Sequence, residues 1–242
     1  MDIQRRISRY KVSSPLIQMP VMLAVVTDLH NGVYADVLPV LRNCDAILTV
    51  GDLVNRHKDG YDRVLSFLAD APKCAPTFFS IGNHERKDHQ MVEIWPYLRG
   101  SSVTLLDNQY TVFRGLVLGG FSSAAGRKPE GAFLAEMARH PGFHLLMCHH
   151  PEYYYPYVKA HGLELTLSGH AHGGQIQFRN RGLYAPGQGL LPRLTHGFYD
   201  DGHLLVSRGM TNSSGLPRWN NPCELVLLQL CPGAHYHAEV LY

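Results

Sequence analysis

The chain has 242 residues, 45% of them hydrophobic, which is enough for one domain with a sizeable buried core. Its 22 lysines and arginines nearly balance its 20 aspartates and glutamates, and this balance argues against a protein that binds nucleic acid through an extended basic surface. The five cysteines are odd in number and include no CxxC pair, so they argue against a disulfide framework and indicate reduced thiols in the cytoplasm.

The N-terminal region is predicted to be an extension, residues 1–20, of a single domain that spans residues 1–242. Four basic residues precede an apolar stretch, as in a signal peptide: Arg5, Arg6, Arg9 and Lys11. The apolar stretch of residues 16–26 is interrupted by Gln18 and Pro20, is too short to span a bilayer and has no Ala-x-Ala cleavage site. We therefore expect a cytoplasmic protein, with peripheral membrane contact through the basic start as the alternative.

Apolar, β-rich runs that end in polar clusters predict buried strands. Five of these runs are each followed by a polar cluster: residues 21–27, 46–50, 77–81, 143–148 and 163–167. Segments of helical composition lie between several of them, at residues 34–43, 61–70, 88–98 and 131–139. Further strands are predicted at residues 116–120, 203–207, 225–230 and 236–241, and a long surface loop at residues 184–201. This order predicts an α/β fold in which a second sheet faces the first, with helices outside.

Polar residues follow the five main strands directly. The clusters are Thr27-Asp28-Leu29-His30, Gly51-Asp52, Gly82-Asn83-His84-Glu85, His149-His150-Pro151 and Gly169-His170-Ala171-His172-Gly173-Gly174. Ligands of open α/β sheets bind at the carboxyl ends of the strands, so the five clusters are expected to converge at one edge. Carboxylates, an amide oxygen and imidazoles suit manganese, iron or zinc. Each pattern alone is an ordinary turn, but five in succession favour a functional site.

The ordered set DxH, GDLV, GNHE, HxP and GHAHGGQ resembles the calcineurin-like metallophosphoesterase family over roughly residues 21–230. The resemblance implies two facing mixed β-sheets flanked by helices, with a dinuclear metal centre at one end. The GHxHGGQ pattern, Ser207-Arg208-Gly209 and the later residues 214–217 resemble a branch of small bacterial phosphodiesterases in particular.

The resemblance also assigns roles to individual residues. One divalent cation is expected on Asp28, His30 and His172, the other on Asn83, His149 and His170, with Asp52 bridging both. His149 is preferred to His150 because the family's ligand stands two residues before a proline, here Pro151. Manganese is the favoured metal, with iron or zinc as alternatives.

The expected nucleophile is a metal-bound hydroxide. His84 resembles the family's catalytic histidine, which stabilises the transition state and is a candidate to protonate the leaving alkoxide. Glu85 is the candidate to orient it.

The leading hypothesis is hydrolysis of a phosphodiester or phosphomonoester bond in a small phosphorylated substrate, without nucleic-acid binding. A pyrophosphate hydrolase for a nucleotide-linked lipid precursor is the alternative that an exposed apolar patch near the site would favour. A non-catalytic binding module on the same fold is the alternative from another class. Two further groups are candidates for substrate contact or for ordinary structural positions: tyrosines 153, 154, 155 and 157, and the basic residues Arg127, Lys128, Arg179 and Arg208.

Overall fold

Hydrophobic runs form the central strands, and those strands are buried on both faces. The computed structural model describes residues 5–57, 60–87, 91–124, 129–179, 181–212 and 216–242, without the side chains of residues 91–93. The strands in chain order are β1 (Arg6–Ser14), β2 (Val21–Val26), β3 (Ala46–Val50), β4 (Thr77–Ser80), β5 (Val103–Leu105), β6 (Gln109–Phe113), β7 (Leu116–Phe121), β8 (Phe143–Cys148), β9 (Leu165–Ser168), β10 (Gln177–Phe178), β11 (Arg181–Gly182), β12 (Tyr184–Ala185), β13 (Gly189–Leu190), β14 (Gly197–Tyr199), β15 (Leu204–Val206), β16 (Glu224–Pro232) and β17 (His237–Leu241).

The helices are short, and along the chain they alternate with strands of the two large sheets. The α-helices are α1 (Leu38–Leu41), α2 (Asp62–Cys74), α3 (Asn83–Lys87), α4 (Met91–Gly100) and α5 (Ala132–Met137). Tight helical turns add Ala35–Val37, Pro151–Tyr153, Lys159–His161, His172–Gly174 and Asp200–Gly202, and Tyr154–Val158 forms a wider π-helical turn. Among the helices of the described ranges, none is both long and apolar enough to cross a bilayer.

Two mixed sheets dominate the topology. The larger sheet has the order β17-β1-β16-β2-β3-β4-β5, in which β2, β3, β4 and β5 run parallel to one another. The smaller has the order β14-β15-β9-β8-β7-β6, with a parallel block from β15 to β7. The parallel blocks place the carboxyl ends of successive strands at a common edge in each sheet.

Alternate side chains of each strand belong to different cores, because successive residues of a strand point to opposite faces. Leu23 of β2 and Leu145 of β8 belong to the core between the two sheets. Ala24 of β2 packs instead in an outer core with Phe67 of α2, while Leu146 of β8 packs in a second outer core with Leu134 of α5. The four-layer arrangement of helices, sheet, sheet and helices is therefore confirmed.

Most predicted elements are present, but with changed bounds. The predicted helix at residues 34–43 is divided into a tight turn and α1, whose first turn contains Pro39. Part of the predicted helix at 88–98, residues 88–90, lies outside the described residues. The stretch predicted as a loop at 184–201 contains three short strands, β12 to β14.

Part of the predicted N-terminal extension is a strand of the larger sheet. β1 pairs in parallel with β16 over nine residue pairs and antiparallel with β17. The basic residues of this strand are also engaged, since Lys11 forms a salt bridge with Glu239 and the neighbouring Arg5 pairs with Asp36. Sequence patterning did not predict this strand.

Candidate metal centre

The polar clusters that follow the central strands meet at one edge of the two sheets. Backbone hydrogen bonds join the first two clusters, from Asp28 N to Gly51 O (3.1 Å) and from His30 N to Asp52 O (3.1 Å). The loops after β8 and β9 are joined in the same way, from Gly169 N to His149 O (3.0 Å). The predicted convergence is therefore present in the structure.

Two triads of possible metal ligands occupy this edge. The first is Asp28, His30 and His172, and the second is Asp52, His149 and His170; within each, the ligand atoms lie within 4.8 Å of one another. They contain six of the seven predicted ligands, all except Asn83, and the division of the ligands between two cations stays a prediction.

Each carboxylate uses one oxygen for the surrounding chain and turns the other toward the histidines. Oδ2 of Asp28 accepts hydrogen bonds from the Thr27 hydroxyl (2.6 Å) and the His170 amide (3.1 Å), while its Oδ1 faces His30 Nε2 at 3.6 Å. In Asp52, Oδ1 accepts the His84 amide (2.8 Å), and Oδ2 lies 3.0 Å from His149 Nε2 and 3.9 Å from His30 Nε2. A single oxygen of Asp52 thus lies beside imidazoles of both triads.

The electrostatics of the centre favour cations. Asp28 and Asp52 are fully buried, and among the described residues only histidines form ion pairs with them. Burial acts to raise the pKa of Asp52, but the imidazoles of His149, His30 and His84 outweigh it and hold the pKa well below its usual value. Burial lowers the pKa of His172 to about 3, so its ring is neutral. The centre therefore combines ionised carboxylates with a neutral His172, whereas Asp52 and Asp28 outweigh burial and raise the pKa of His149 to about 10, so a cation bound there would displace a proton.

Some buried polar atoms of the centre have no hydrogen-bond partner within the described ranges, and they fit a bound cation. These atoms are His30 Nε2 and Asn83 Oδ1, while His149 Nε2 faces the Asp52 carboxylate at 3.0 Å. Buried polar atoms without partners are costly, and metal coordination is one way to satisfy them. The opposite ring nitrogens face backbone carbonyls, His30 Nδ1 to Val54 O (3.1 Å) and His149 Nδ1 to Val50 O (2.8 Å), which leaves both Nε2 lone pairs turned inward.

The backbone at the centre adopts an uncommon conformation. Five of the seven predicted ligands have left-handed backbone angles, with φ between 47° and 64°: Asp28, His30, Asp52, His170 and His172. Non-glycine residues adopt this region at a cost, and clusters of such residues occur at functional sites. The surrounding sheets and loops must hold the ligands in these positions.

Two glycines lie so close to the carboxylates that a side chain could not be accommodated. A Cβ on Gly169 would lie 1.9 Å from Thr27 Oγ1 and 2.4 Å from Asp28 Oδ2, and a Cβ on Gly82 would lie 2.2 Å from Asp52 Oδ1. Glycine at both positions is what allows these turns to approach the carboxylates.

His84 lies at the entrance of the centre, with its side chain 14% exposed and Nε2 4.0 Å from Asp52 Oδ2. Its Nδ1 accepts a hydrogen bond from the amide of Arg56 (3.1 Å), which places the proton of the neutral ring on Nε2. Burial lowers the pKa of His84 to about 4, so the ring is a neutral donor near neutral pH. His84 also groups with His30 and Asp52 as possible ligands.

Glu85 holds the backbone of the centre, and no contact with the His84 ring is seen among the described residues. Its buried carboxylate accepts hydrogen bonds from the amides of Gly82 (2.8 Å), Asp52 (2.9 Å) and Val54 (3.1 Å). The suggestion that Glu85 orients His84 is therefore replaced by a different role. Glu85 ties the loop after β3 to the loop after β4, and thereby the ligands Asp52 and Asn83 to each other.

Comparison with known proteins identifies a family whose model covers the predicted ligands. The family model described as calcineurin-like phosphoesterase matches residues 21–174, which include β2 and all seven predicted ligands. The chain belongs to the calcineurin-like phosphoesterase family. Family membership implies divalent metal ions and the hydrolysis of phosphate esters.

Curated relatives are similar over most of this chain. An uncharacterized metallophosphoesterase of Campylobacter jejuni is 29% identical over 90% of the chain, which spans 61% of that relative's length. Phosphodiesterase YaeI of Escherichia coli is 29% identical over 87% of the chain and 82% of its own length. The structure of NAD nucleotidase from Haemophilus influenzae superposes with a TM-score of 0.51 and 13% identity, covering 93% of this chain and 49% of that one. This last similarity supports the fold alone.

A cluster of His150, Glu152 and Ser123 adjoins the second triad. His150 contacts Glu152 through Nδ1 (3.0 Å) and Ser123 Oγ through Nε2 (2.9 Å), and its ring centroid is 4.3 Å from that of His170. The Glu152 carboxylate also lies 3.7 Å from His170 Nε2. His149 faces Asp52, whereas His150 contacts Ser123 and Glu152 and forms a group of possible ligands with Glu152 and His170, and the choice of His149 as the ligand stays a prediction.

Arg218 is a buried cation beside the first triad that the sequence did not single out. Its Nη2 donates to Thr211 O (2.7 Å) and lies 3.2 Å from His172 Nδ1, while Nε and Nη1 are buried without a partner in the described part of the chain. Donation to Nδ1 places the proton of a neutral His172 on Nε2. Coordination through Nε2 therefore requires the ring proton to move to Nδ1 and this hydrogen bond to break.

The other sequence candidates lie in several different environments. Tyr154 is buried and donates to Asp200 (2.6 Å), while Tyr153 stacks on His150. Tyr155 is 51% exposed, so these three tyrosines do not share one environment. Arg208 donates to Asn221 (2.9 Å) and is engaged with the surrounding chain. Arg179 is exposed, and the candidates Arg127 and Lys128 lie outside the described residues.

Proposed function

We propose that this chain is a dinuclear metal-dependent phosphodiesterase that hydrolyses a small phosphorylated substrate. One observation carries the proposal: Asp52 is buried, ionised and positioned with Oδ2 beside imidazoles of both triads. A carboxylate in this position has the donor geometry of a ligand shared by two cations.

In this proposal, Asp28, His30 and His172 hold one cation, and Asn83, His149 and His170 hold the other. The oxygen and nitrogen donors favour manganese, with iron or zinc as alternatives. Two such ions supply a nucleophile at neutral pH and charge compensation for the phosphoryl oxygens.

The protein's own groups position and stabilise the reacting phosphate. His84 Nε2–H is held toward the centre by the Arg56 amide on its other nitrogen, and it can donate to a phosphoryl oxygen or to the leaving oxygen. Glu85 keeps the Asp52 loop in place through its three backbone hydrogen bonds. The donor and the bridging ligand are thus fixed relative to each other before substrate binds.

Preference for a diester is supported by similarity to phosphodiesterase YaeI of Escherichia coli, of which the chain spans 82%. Hydrolysis of a phosphomonoester is the alternative. A non-catalytic binding module is disfavoured because six of the seven predicted ligands are grouped, all except Asn83. A lipid-linked pyrophosphate is favoured as a second candidate by the exposed apolar residues Leu190 and Leu191, whose strand is joined through Leu183 to Gly174, two residues after His172.

The proposal is tested by metal content and activity together. Protein reconstituted with Mn²⁺ should contain two ions per chain and hydrolyse a bis-aryl phosphodiester faster than the matched aryl phosphomonoester. Asp52→Asn should weaken both metal sites and lower kcat/KM by at least about 100-fold, whereas the exposed control Asp62→Asn should behave as wild type. Asp52→Asn with full metal content and normal activity would exclude the shared ligand.

The division between the two sites has its own test. His30→Ala and His170→Ala should each deplete mainly one of the two ions, because they belong to different triads. Loss of both ions in either variant would contradict this division.

A further inference from the structure

Exposed apolar side chains are concentrated in the segment of residues 176–194, which follows the part matched by the family model. Leu190 is 76% exposed, Leu191 71% and Phe178 65%, and Leu183 and Tyr184 are exposed as well. Large apolar groups clustered on a surface in this way mark an interaction site more often than scattered ones do.

Two short hairpins carry these side chains, and the second, β12 with β13, exposes apolar groups on both of its sides. Opposite residues of an antiparallel pair point to the same side, and Tyr184 stands opposite Leu190 in the pair β12 and β13. Leu191 N donates to Leu183 O (2.9 Å), so these two leucines form the next pair of the hairpin, on its opposite side. The Gln188 side chain closes the turn by bonding both the carbonyl (2.7 Å) and the amide (3.0 Å) of Leu194.

The charge of the segment has one sign. Residues 165–199 contain no aspartate or glutamate, and the exposed arginines of the segment are Arg179, Arg181 and Arg193. Within the described residues none of the three forms a salt bridge, and the Arg179 guanidinium lies 5.4 Å from the Phe178 ring centroid. Exposed apolar groups interspersed with unpaired arginines are complementary to a surface that is apolar inside and anionic at its boundary.

The segment borders the metal centre. Leu183 N donates to Gly174 O (3.0 Å), two residues after His172, and a Cβ on Gly187 would lie 3.3 Å from His170 Nε2. Trp219, which is 59% exposed, pairs with Ile176 at the start of the segment and adds an aromatic side chain suited to a lipid interface.

We propose that residues 176–179 and 181–194, together with Trp219, dock on the surface of a bilayer rich in anionic phospholipid. The docked segment brings the metal centre to the level of lipid headgroups, so that a phosphate ester carried by a lipid reaches it from the membrane side. Access of such an ester to the centre rests on the proposed function, whereas docking itself is measurable without catalysis. Polyanionic nucleic acid would match the arginines but would leave the leucines in water.

Docking is tested by sedimentation of the Mn²⁺-loaded protein with vesicles of phosphatidylcholine, with and without phosphatidylglycerol. Binding should require phosphatidylglycerol. Replacing Arg179, Arg181 and Arg193 by serine should lower partitioning about 100-fold, at about fivefold per arginine. Leu190→Ser with Leu191→Ser should lower it at least about tenfold. Both variants should keep wild-type metal content and wild-type kcat/KM on a soluble aryl diester.

Matched controls carry the same chemistry on other surfaces. Leu16→Ser with Met19→Ser removes two exposed apolar side chains elsewhere, and Arg99→Ser with Arg139→Ser removes two exposed arginines. These controls should bind vesicles as wild type does. Arg9→Ser with Lys11→Ser tests the basic N-terminal strand as the competing membrane contact.

The outcomes separate docking from catalysis. Active enzyme that stays in the supernatant with anionic vesicles overturns docking alone, and enzyme that sediments but hydrolyses no ester overturns the proposed function alone. Binding lost only in the Arg9 and Lys11 variant places the contact on the other surface and overturns this one. Tight binding to an oligonucleotide that depends on the three arginines and not on the leucines would replace the membrane by a nucleic acid.

Discussion

Gly169 offers the sharpest test of how tightly the centre is built. A Cβ at this position would lie 1.9 Å from Thr27 Oγ1 and 2.4 Å from Asp28 Oδ2, which is 1.5 Å and 1.0 Å short of the 3.4 Å at which ordinary contact begins. Gly169→Ala must therefore displace the Asp28 carboxylate by about 1 Å or move the loop that carries His170. A misplacement of this size costs about 100-fold in rate.

The assay compares kcat/KM on a soluble aryl diester with metal content and thermal unfolding of the same samples. Gly169→Ala should lose about 100-fold in kcat/KM, with weaker metal binding at the triad of Asp28. Gly100→Ala is the matched control, because no atom lies within 4 Å of its added Cβ. That variant should keep wild-type kcat/KM and metal content.

Gly169→Ala protein with wild-type metal content, and with kcat/KM within about twofold of wild type, would show that the added Cβ does not displace the Asp28 carboxylate. Unfolding data separate a local effect from general instability, since overpacking of this kind typically costs about 1–3 kcal/mol. A variant that stays folded at the assay temperature but is inactive supports the displacement of Asp28.

Three further predictions concern residues around the centre. His84→Ala should keep both metals and lower kcat/KM by about 10²- to 10³-fold as one preorganised donor is lost, whereas the adjacent His57→Ala should change it less than about twofold by steady-state kinetics. Glu85→Gln must turn its NH2 toward a backbone amide, and urea unfolding should show a loss of about 1–3 kcal/mol. Burial lowers the pKa of His196 to about 4, so the unfolded chain binds more protons below pH 6.5. Wild-type stability should therefore fall by on the order of 2 kcal/mol from pH 6.5 to 4, and His196→Gln should reduce that dependence in urea titrations.

Each of these has a result that contradicts it. Metal loss in His84→Ala would make His84 a ligand, in keeping with its grouping with His30 and Asp52. Unchanged urea stability of Glu85→Gln would show that its backbone contacts carry little free energy. Parallel pH profiles for wild type and His196→Gln would mean that His196 does not titrate differently in the folded chain.

The convergence of the site could be predicted from the sequence because its ligands immediately follow buried strands. Asp28, Asp52 and His149 are each within two residues of such a strand, and parallel strands place those ends together. Local pattern and the order of elements were sufficient for this part of the molecule and for the layers of the fold.

Other features depend on contacts that no local pattern records. Arg218 approaches His172 across 46 residues of chain, and the Glu85 carboxylate reaches amides more than 30 residues away. The strand Arg6–Ser14 alternates in burial along part of its length, yet its partner is near the other end of the sequence. Only tertiary packing identifies such roles.

The position of β16 between β1 and β2 bears on how the chain is made in the cell. β2, which leads to Asp28, has β16 as its neighbour on one side, so residues 224–232 must be synthesised before that edge is covered. Until then, β2 is an apolar strand with an unpaired edge, and such edges promote aggregation. Contacts of this sequence separation also form slowly. Completion of the larger sheet is therefore a late event in synthesis, and nascent chains that stall before residue 224 should be unusually dependent on chaperones.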